Sequence, residues 1–373
     1  MNFLKKVLSI FRSIFLIIFI TFSLSLVVDF FIGKKILEFT DNFWRNTEFY
    51  GRIKRIDHDV YHHGLKANVE MKKVKGFENF YTFCTDNHGF RYKCGEKKRE
   101  KSFDFGFIGD SFTEGSSVSY EDSFVGIFET ILKKKVANLG VVSYSPKIYL
   151  SKINYYLKEG YSFNHVIIPI DISDLYDDNV NYRLKENYIV EDNFERGEKL
   201  KIRKFLRKNF PFTNFYMFVV KNLNNVGYAP KNLNIDKPIF HKDALLKAKW
   251  TYSKKEIIDG YWSSTRDAQN EMLQTMNKLY DLLKQENILL SIVIYPWPQQ
   301  LENDKENSKH VQMWKEFCEG KCSNFINLFP TFFKEKEEKG FLTTYKKYYW
   351  WNDMHFNIEG NKLVAKEILK YFK

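Results

Sequence analysis

Three residues of the types used in acyl transfer stand in two segments far apart in the chain. Ser111 follows the apolar run 103–108 and lies within the motif Gly109–Gly115, while Asp353 and His355 are separated by a single residue. The apolar run predicts a buried strand, which would place the Ser111 hydroxyl at the lip of a parallel sheet, where ligands bind. His355 supplies a general base and Asp353 a carboxylate that orients it. The set predicts acyl transfer through a covalent serine intermediate.

Four segments resemble, in the family's order, sequence blocks of the SGNH, or GDSL-type, serine esterases and acyltransferases. They are the approach segment 86–91, the Gly-Asp-Ser of 109–111, the Asn-Leu-Gly of 138–140 and the C-terminal block 353–357. The resemblance covers roughly residues 50–373, with a poorly matched middle. It implies a three-layer α/β/α, flavodoxin-like fold with a parallel sheet. Nothing in the motifs requires a metal ion or an organic cofactor.

The resemblance also implies roles for individual residues. The backbone amides of Ser111 and Gly140 are expected to meet the oxyanion, and Ser173 stands where the family usually has an asparagine donor. Many relatives carry the acid three residues before the histidine, where this chain has Asn352, but Asp-x-His variants occur and favour Asp353. The alternative for Ser111 and His355 is structural, the serine capping a helix and the histidine packing in a loop.

Aromatic side chains make up 18% of the chain, and four of them flank the predicted site. Tyr295 and Trp297 follow a predicted strand on the ligand-binding side of the sheet, and Trp350 and Trp351 directly precede the C-terminal block. Flat rings beside a serine site can stack on sugar faces, so we assign these four to substrate binding. The alternative is ordinary packing in the core and at its rim.

Residues 13–32 are nearly all apolar and long enough to span a bilayer as a helix. Basic residues precede this stretch, which favours a cytoplasmic N-terminus, and no clear small-x-small cleavage site follows it. We therefore expect an uncleaved anchor in the cytoplasmic membrane, with a cleaved signal peptide as the alternative. The rest of the chain is then expected outside the cytoplasm. Asp29 lies near the outer end, where it can reach the interface.

Four cysteines fit an oxidising compartment. Two local disulfides, Cys84 with Cys94 and Cys318 with Cys322, are the simplest pairing. Neither spacing matches a paired CxxC pattern, so we expect no metal. The histidines at 58, 62 and 63 invite a metal hypothesis, but packing is the favoured interpretation.

The net charge of the 373-residue chain is +12. Such an excess suits anionic headgroups or acidic envelope polymers, or reflects a lysine-rich proteome. No nucleic-acid-binding motif accompanies it, so nucleic acid is not an expected partner.

From residue 101 onward, predicted strands alternate with predicted helices, which is typical of βαβ crossovers and a parallel sheet. The strands are 103–108, 136–139, 165–170, 288–295 and 325–328, and the helices are 123–135, 146–159, 266–285 and 360–371. We divide the chain into a cytoplasmic tail 1–12, a transmembrane helix 13–32, a small β-rich approach segment 33–100 and a catalytic domain 101–373. An irregular insertion covers about 177–250.

The sequence therefore predicts a membrane-anchored, extracytoplasmic serine ester hydrolase or O-acyltransferase, most plausibly of acetyl groups on an envelope glycan. A multi-spanning acyltransferase is a possible partner in the transfer reaction. The alternative from another class is a catalytically inactive scaffold or glycan-binding protein on the same fold, which the serine at position 173 motivates.

Overall fold

The computed structural model describes most of the chain and divides it into two compact units. The described residues are 2–46, 55–96, 98–185, 188–192, 209–210, 212–213, 237–240, 242–252 and 264–372. One unit comprises Met1–Tyr50 with Phe194–Ile235, and the other comprises Gly51–Asn193 with Asp236–Lys373. Part of the predicted insertion therefore belongs to the same unit as the N-terminal helix.

A five-stranded parallel sheet forms the centre of the larger unit. Its strands are β6 (Ser102–Phe107), β7 (Val136–Asn138), β8 (Ser162–Ile170), β11 (Leu289–Ile294) and β12 (Asn324–Asn327). They are arranged in the order β12-β11-β8-β6-β7. The last six residues of β8 are buried without alternation, as expected for a strand covered on both faces. The five strands predicted from the sequence are confirmed.

Helices cover both faces of this sheet. In the described part of the larger unit the helices are α2 (Ser111–Glu114), α3 (Phe124–Leu132), α4 (Pro146–Lys158), α5 (Asp174–Tyr176), α6 (Lys242–Ala248), α7 (Thr265–Gln285), α8 (Pro298–Asn303), α9 (Lys309–Cys318), α10 (Phe329–Lys339), α11 (Phe341–Tyr348) and α12 (Ile358–Leu369). Helices α3 and α12 pack together, as do α4 and α7. The three-layer α/β/α prediction is confirmed, whereas α8 to α11 were not predicted from the sequence.

Short antiparallel strands precede the sheet along the chain, within the segment that was predicted to be rich in β-structure. They are β1 (Arg55–His58) paired with β2 (His62–Leu65), and β3 (Glu70–Lys75), β4 (Phe80–Thr85) and β5 (Arg91–Tyr92) in a second small sheet. A disulfide joins Cys84 to Cys94 across the turn that follows β4, and another joins Cys318 to Cys322 at the end of α9. Both predicted pairings are present.

The N-terminal helix α1 (Asn2–Asn46) contains one stretch, Arg12–Gly33, long and apolar enough to cross a membrane, with a mean hydropathy of 2.6. A signal sequence meets the same criterion. Asp29 on this helix is buried, and its carboxylate accepts the backbone N–H groups of Phe212 and Thr213 at 2.7 and 2.8 Å. One turn earlier, Ser25 Oγ lies 3.0 Å from Thr213 Oγ1. Asp29 is thus bonded within the protein, near the end of the apolar stretch Arg12–Gly33.

The region predicted as an insertion, about 177–250, departs from the βαβ rhythm. Its described part contains a π-helical turn, Asp177–Asn181, and the antiparallel pair β9 (Tyr182–Leu184) and β10 (Val190–Asp192), followed by α6 and a 3₁₀ turn at Lys249–Thr251. Much of the remainder lies outside the described residues. An inserted element in the crossover between β8 and β11 is consistent with this arrangement.

Candidate active site

Ser111 lies at the carboxyl end of β6, where the chain turns sharply into α2. Asp110 caps this short helix, because its carboxylate accepts the N–H of Phe112 at 3.0 Å. A Cβ at Gly109 would lie 2.2 Å from Thr113 Oγ1 and 2.9 Å from the carbonyl oxygen of Pro169. Only glycine fits so close to β8 and to the helix. The turn therefore projects the serine from the ligand-binding edge of the sheet, as the sequence predicts.

His355 and Asp353 come from the loop between α11 and α12 and meet the serine there. His355 Nε2 lies 2.7 Å from Ser111 Oγ, and His355 Nδ1 lies 2.5 Å from Asp353 Oδ1. An ionised carboxylate only accepts, so the proton of a neutral imidazole resides on Nδ1 and the Nε2 lone pair faces the hydroxyl. The side chain of His355 is 16% exposed, which leaves the pair reachable from solvent. This geometry suits removal of a proton from Ser111.

The loop that carries the histidine is held by its own polar groups. Tyr345 donates its hydroxyl to the carbonyl oxygens of Trp350 and Asp353 at 2.7 and 3.0 Å. The N–H of Trp350 donates to the carbonyl of His355 at 3.0 Å. Asn352, the alternative acid position, instead accepts the N–H of Ile239 at 2.8 Å. Of the two candidates, the structure brings Asp353 to the histidine.

The Gly140 loop follows β7 and lies against α2. The side chain of Asn138 joins the two, because its amide donates to the carbonyl of Thr113 at 2.7 Å and its oxygen accepts the Gly140 N–H at 3.1 Å. A Cβ at Gly140 would lie 2.6 Å from Thr113 Cβ. Glycine is thus required for packing against α2. The Gly140 amide has an acceptor within the protein, and its role as an oxyanion donor stays a prediction.

Ser143 in the same loop is a feature that sequence reasoning missed. Its backbone adopts φ 66°, the left-handed region that favours glycine, and its carbonyl accepts the hydroxyl of Tyr182 at 2.8 Å. Non-glycine residues held in this conformation cost free energy and cluster at functional sites. A serine carries no sequence signal for such a conformation, so only the structure reveals it.

Ser173 lies beside a cluster of buried carboxyl groups that includes the neighbour of Ser111, Asp110. Its N–H donates to Asp171 Oδ1 at 2.6 Å, while Trp297 Nε1 donates to Asp171 Oδ2 at 2.9 Å. Ligand oxygens of Asp110, Asp171 and Asp174 lie within 4.8 Å of one another. Ser173 is itself buried, and its role as an oxyanion donor stays a prediction.

Burial shifts the pKa values of two carboxyls in this cluster. Desolvation, followed by the neighbouring Asp171, raises the pKa values of Asp110 and Asp174 well above the usual range. Burial thus opposes the charged form of these two carboxyls. Among the described residues, Asp110, Asp171 and Asp174 are the one set with the spacing of metal ligands.

The four aromatic residues assigned to substrate binding differ in exposure. Tyr295 is fully buried and packs on the rings of Phe112 and Phe356. Trp297 is buried against Asp171, and Trp350 is also buried. The burial of these three rings favours the packing alternative, whereas Trp351 is half-buried.

Phe77, which the sequence analysis did not single out, lies beside the histidine. Its ring is stacked 5.9 Å from that of His355 and is 44% exposed. The residue lies in the turn between β3 and β4, and no local pattern distinguishes it from other phenylalanines in the sequence. It is the exposed ring that the structure places at the rim of the site.

The three clustered histidines serve packing and hydrogen bonding. His58 stacks on Tyr61 with ring centroids 3.6 Å apart. His62 lies between His63 and Asp192, with Nδ1 2.7 Å from His63 Nδ1 and Nε2 2.9 Å from the carboxylate. Because the two partners of His62 contact opposite sides of its ring, the three groups do not converge on a common metal position.

Known structures resemble this chain in overall arrangement. They include a lipolytic protein of the G-D-S-L family from Veillonella parvula, at 12% identity over 72% of this chain and 97% of that one, with a TM-score of 0.39. The esterase EstA from Pseudoalteromonas sp. matches at 10% identity over 73% and 97%, with a TM-score of 0.34. A catalytic mutant of Axe2, an acetylxylan esterase from Geobacillus stearothermophilus, matches at 11% identity over 72% and 92%, with a TM-score of 0.37.

A scan against models of protein families finds no match, and no curated protein matches the sequence. The identities and TM-scores of the similar structures are too low to transfer an activity. Conclusions about function therefore rest on the geometry of Ser111, His355 and Asp353.

Proposed function

We propose that this protein is a serine ester hydrolase or O-acyltransferase that works through an acyl-Ser111 intermediate. The observation that supports it is the continuous set of hydrogen bonds from Asp353 through His355 to Ser111, with distances of 2.5 and 2.7 Å. A serine hydroxyl is a weak nucleophile unless a base within this range accepts its proton. The short chain of contacts meets that requirement without any movement of the loop.

The first half-reaction follows from these contacts. Ser111 Oγ attacks the ester carbonyl carbon as its proton passes to His355 Nε2, and Asp353 stabilises the resulting imidazolium. The tetrahedral oxyanion is met by the Ser111 amide and by donors from the Gly140 loop. When the intermediate collapses, the C–O bond to the leaving alcohol breaks and the alcohol takes the proton from Nε2. The acyl group then remains on Ser111.

The second half-reaction decides between hydrolysis and transfer. A water molecule or a sugar hydroxyl gives its proton to Nε2 and attacks the acyl carbon. The bond from that carbon to Ser111 Oγ then breaks, Oγ takes the proton from Nε2, and the free acid or the acylated sugar leaves. The same three residues serve both acceptors. A hydroxyl acceptor is favoured when the acceptor is bound and water is excluded.

The proposed location and substrate class rest on features of the chain outside the catalytic site. The apolar stretch Arg12–Gly33 is proposed as a membrane anchor, and the two disulfides fit an extracytoplasmic domain. An anchored serine site outside the cytoplasm faces the glycans of the envelope, so we propose an envelope glycan as substrate, which loses an acetyl group in hydrolysis or receives one in transfer. A multi-spanning acyltransferase is the proposed partner if the reaction is transfer.

The experiment compares cells that produce the wild-type chain with cells that produce Ser111→Ala. The O-acetyl content of the surface polysaccharide is measured after release with mild alkali. Loss of acetyl in the variant indicates transfer, and excess acetyl indicates an esterase. Equal acetyl content would remove glycan acetylation as the function while leaving the ester chemistry of the site open to test with small esters.

A second candidate function is an inactive scaffold on the same fold. Two observations favour it: Ser173 replaces the expected asparagine, and the Gly140 N–H already has an acceptor in Asn138. Both concern the oxyanion donors rather than the nucleophile. A scaffold would bind its glycan with equal affinity in the wild type and in Ser111→Ala, and neither form would turn over an ester.

A further inference from the structure

Lys152, on α4, is a buried cation whose hydrogen-bond partners are uncharged. The residue is 1% exposed, and three tyrosine rings surround its ammonium group, with ring centroids 4.7 Å (Tyr144), 5.2 Å (Tyr61) and 5.9 Å (Tyr156) from Nζ. Among the described residues no carboxylate lies within ion-pair distance of it. A buried charge without an ion-pair partner is costly, so its retention calls for an explanation.

The ammonium group is directed at the Gly140 loop. Nζ donates to the carbonyl oxygen of Leu139 at 2.9 Å and to the hydroxyl of Tyr144 at 3.0 Å. The Leu139 carbonyl and the Gly140 N–H belong to one trans peptide, in which the two groups point in opposite directions. A cation bound to the oxygen therefore fixes the direction of the N–H and, by polarising the peptide, strengthens it as a donor.

A carboxylate holds the other end of the same loop. Glu114, the last residue of α2, accepts the N–H of Val142 at 2.9 Å. The loop is thus held by Lys152 at Leu139 and by Glu114 at Val142. The side chain of Asn138 also bonds the loop to α2. All three contacts set the position of the loop relative to Ser111.

We propose that Lys152 is a positioning residue that holds the Leu139–Gly140 peptide in the orientation needed for acyl transfer at Ser111. The inference rests on the proposed function, because it assigns a role in the same site. Lys152 acts through the loop and not through contact with the substrate. The amino group is buried in order to hold that orientation, and its burial reduces the stability of the fold.

The effect of burial on the ammonium group of Lys152 supports a positioning role. Burial lowers the pKa of Lys152 from 10.5 to about 7, and Glu114 opposes this effect. The charged form is therefore disfavoured by its surroundings. A lysine kept only for stability would be expected to have an ion-pair partner, and another lysine on the same helix illustrates the difference.

Lys147 provides the matched control. It is also buried on α4, but its Nζ lies 2.8 Å from Glu271 Oε1 and 3.6 Å from Asp178 Oδ2. Its contacts do not include the Gly140 loop. Replacing Lys147 by methionine removes a paired charge, whereas replacing Lys152 by methionine removes an unpaired one. The two variants are therefore expected to change stability in opposite directions.

The experiment uses the full chain in detergent, with p-nitrophenyl acetate as substrate and active sites counted by fluorophosphonate labelling. For Lys152→Met we expect kcat to fall by about tenfold or more with KM little changed, while the midpoint of thermal unfolding rises. For Lys147→Met we expect a lower midpoint and an unchanged kcat per labelled site. A fall in kcat together with a rise in the midpoint distinguishes a positioning role from a structural one, since replacing a structural lysine would lower both kcat and the midpoint.

The outcomes separate this inference from the proposed function. A reactive wild type with kcat unchanged within twofold in Lys152→Met would overturn the inference alone. A joint fall of kcat and midpoint, or aggregation of both Lys152→Met and Lys152→Gln, would also overturn it, because removal of an unpaired charge should stabilise the fold. A wild-type chain that neither labels nor hydrolyses the ester would overturn the proposed function and the inference with it.

Discussion

His355 Nε2 lies 2.7 Å from Ser111 Oγ although 244 positions separate the two residues in the chain. The contact depends on two separate elements of the fold. The turn after β6 projects the serine, and the loop between α11 and α12 brings the imidazole back over the same edge of the sheet. Because Asp353 holds the opposite nitrogen, the histidine is already oriented to accept a proton.

Replacing Asp353 by asparagine should leave the fold intact and reduce kcat on p-nitrophenyl acetate by about 10³- to 10⁴-fold. The asparagine NH₂ group can face Nδ1 as a donor, which moves the imidazole proton to Nε2 and removes the base from the serine. The measurement is steady-state kinetics per folded molecule. Asn352→Gly is the control, since glycine tolerates the positive φ of 59° at that position; a larger loss there would reassign the acid.

Replacing Gly140 by alanine should displace the loop from α2. The added Cβ would lie 2.6 and 2.7 Å from Thr113 Cβ and Cγ2, and 2.9 Å from the Glu114 nitrogen. We expect a loss of about 1–3 kcal/mol in the free energy of unfolding and slower labelling by a fluorophosphonate. Gly64→Ala is the control, because the three atoms nearest to its Cβ would all belong to the Tyr61 side chain, at 3.2 Å or more. Equal behaviour of the two variants would contradict the packing described for Gly140.

The stability of the wild type should rise between about pH 7 and pH 10, and part of this rise should be absent in Lys152→Met. Burial lowers the pKa of Lys152 from 10.5 to about 7, so in this range the unfolded chain binds more protons than the folded chain. The free energy of unfolding then increases with pH. Below pH 7 the burial of the charge costs about 5 kcal/mol.

Urea unfolding of the wild type and Lys152→Met at pH 6, 7.5 and 9 measures this slope. The methionine variant should be the more stable at pH 6, and the difference should shrink as the pH rises. Curves that stay parallel across this range would show that Lys152 does not titrate between the folded and unfolded states as described.

Cysteines introduced at Ser25 and Thr213 should form a disulfide. The two hydroxyl oxygens lie 3.0 Å apart, so the two side chains meet and a disulfide would replace their direct contact. Mass spectrometry of tryptic fragments from membranes, compared with and without reductant, detects the bond. Cysteines at Ser23 and Thr213 serve as the control, since residues two positions apart on a helix do not face the same way. Equal cross-linking of both pairs would argue against the described docking of Thr213 on α1.

Much of the fold was predictable because its signals are local. Mostly apolar runs predicted the five strands of the sheet, and the Gly-Asp-Ser that follows the first of them placed Ser111 at the edge of the sheet. The helices within residues 298–348 were harder to predict, because α8 to α11 are short and mostly polar. Their apolar positions become informative only when they are packed, as Trp314 is when buried and Phe332 is when stacked on the ring of Phe356.

The parts of the site that the sequence did not reveal depend on contacts between distant segments. Asn138 joins the Gly140 loop to α2, and Lys152 reaches the carbonyl of Leu139 from the next helix. Residue type predicts neither contact. The burial of Tyr295 was missed for a related reason: position after a strand indicates the edge of the sheet, but not whether the ring turns inward.

Reaction of the full-length protein with a fluorophosphonate probe tests the central claim most directly. The probe forms a covalent bond to a serine only when a base takes its proton, so it reports the Ser111–His355 contact itself. The account predicts strong labelling of the wild type at Ser111, no labelling of Ser111→Ala, and labelling slowed by orders of magnitude in His355→Gln. A folded wild type that remains unlabelled, or labelling that persists in Ser111→Ala, would contradict it.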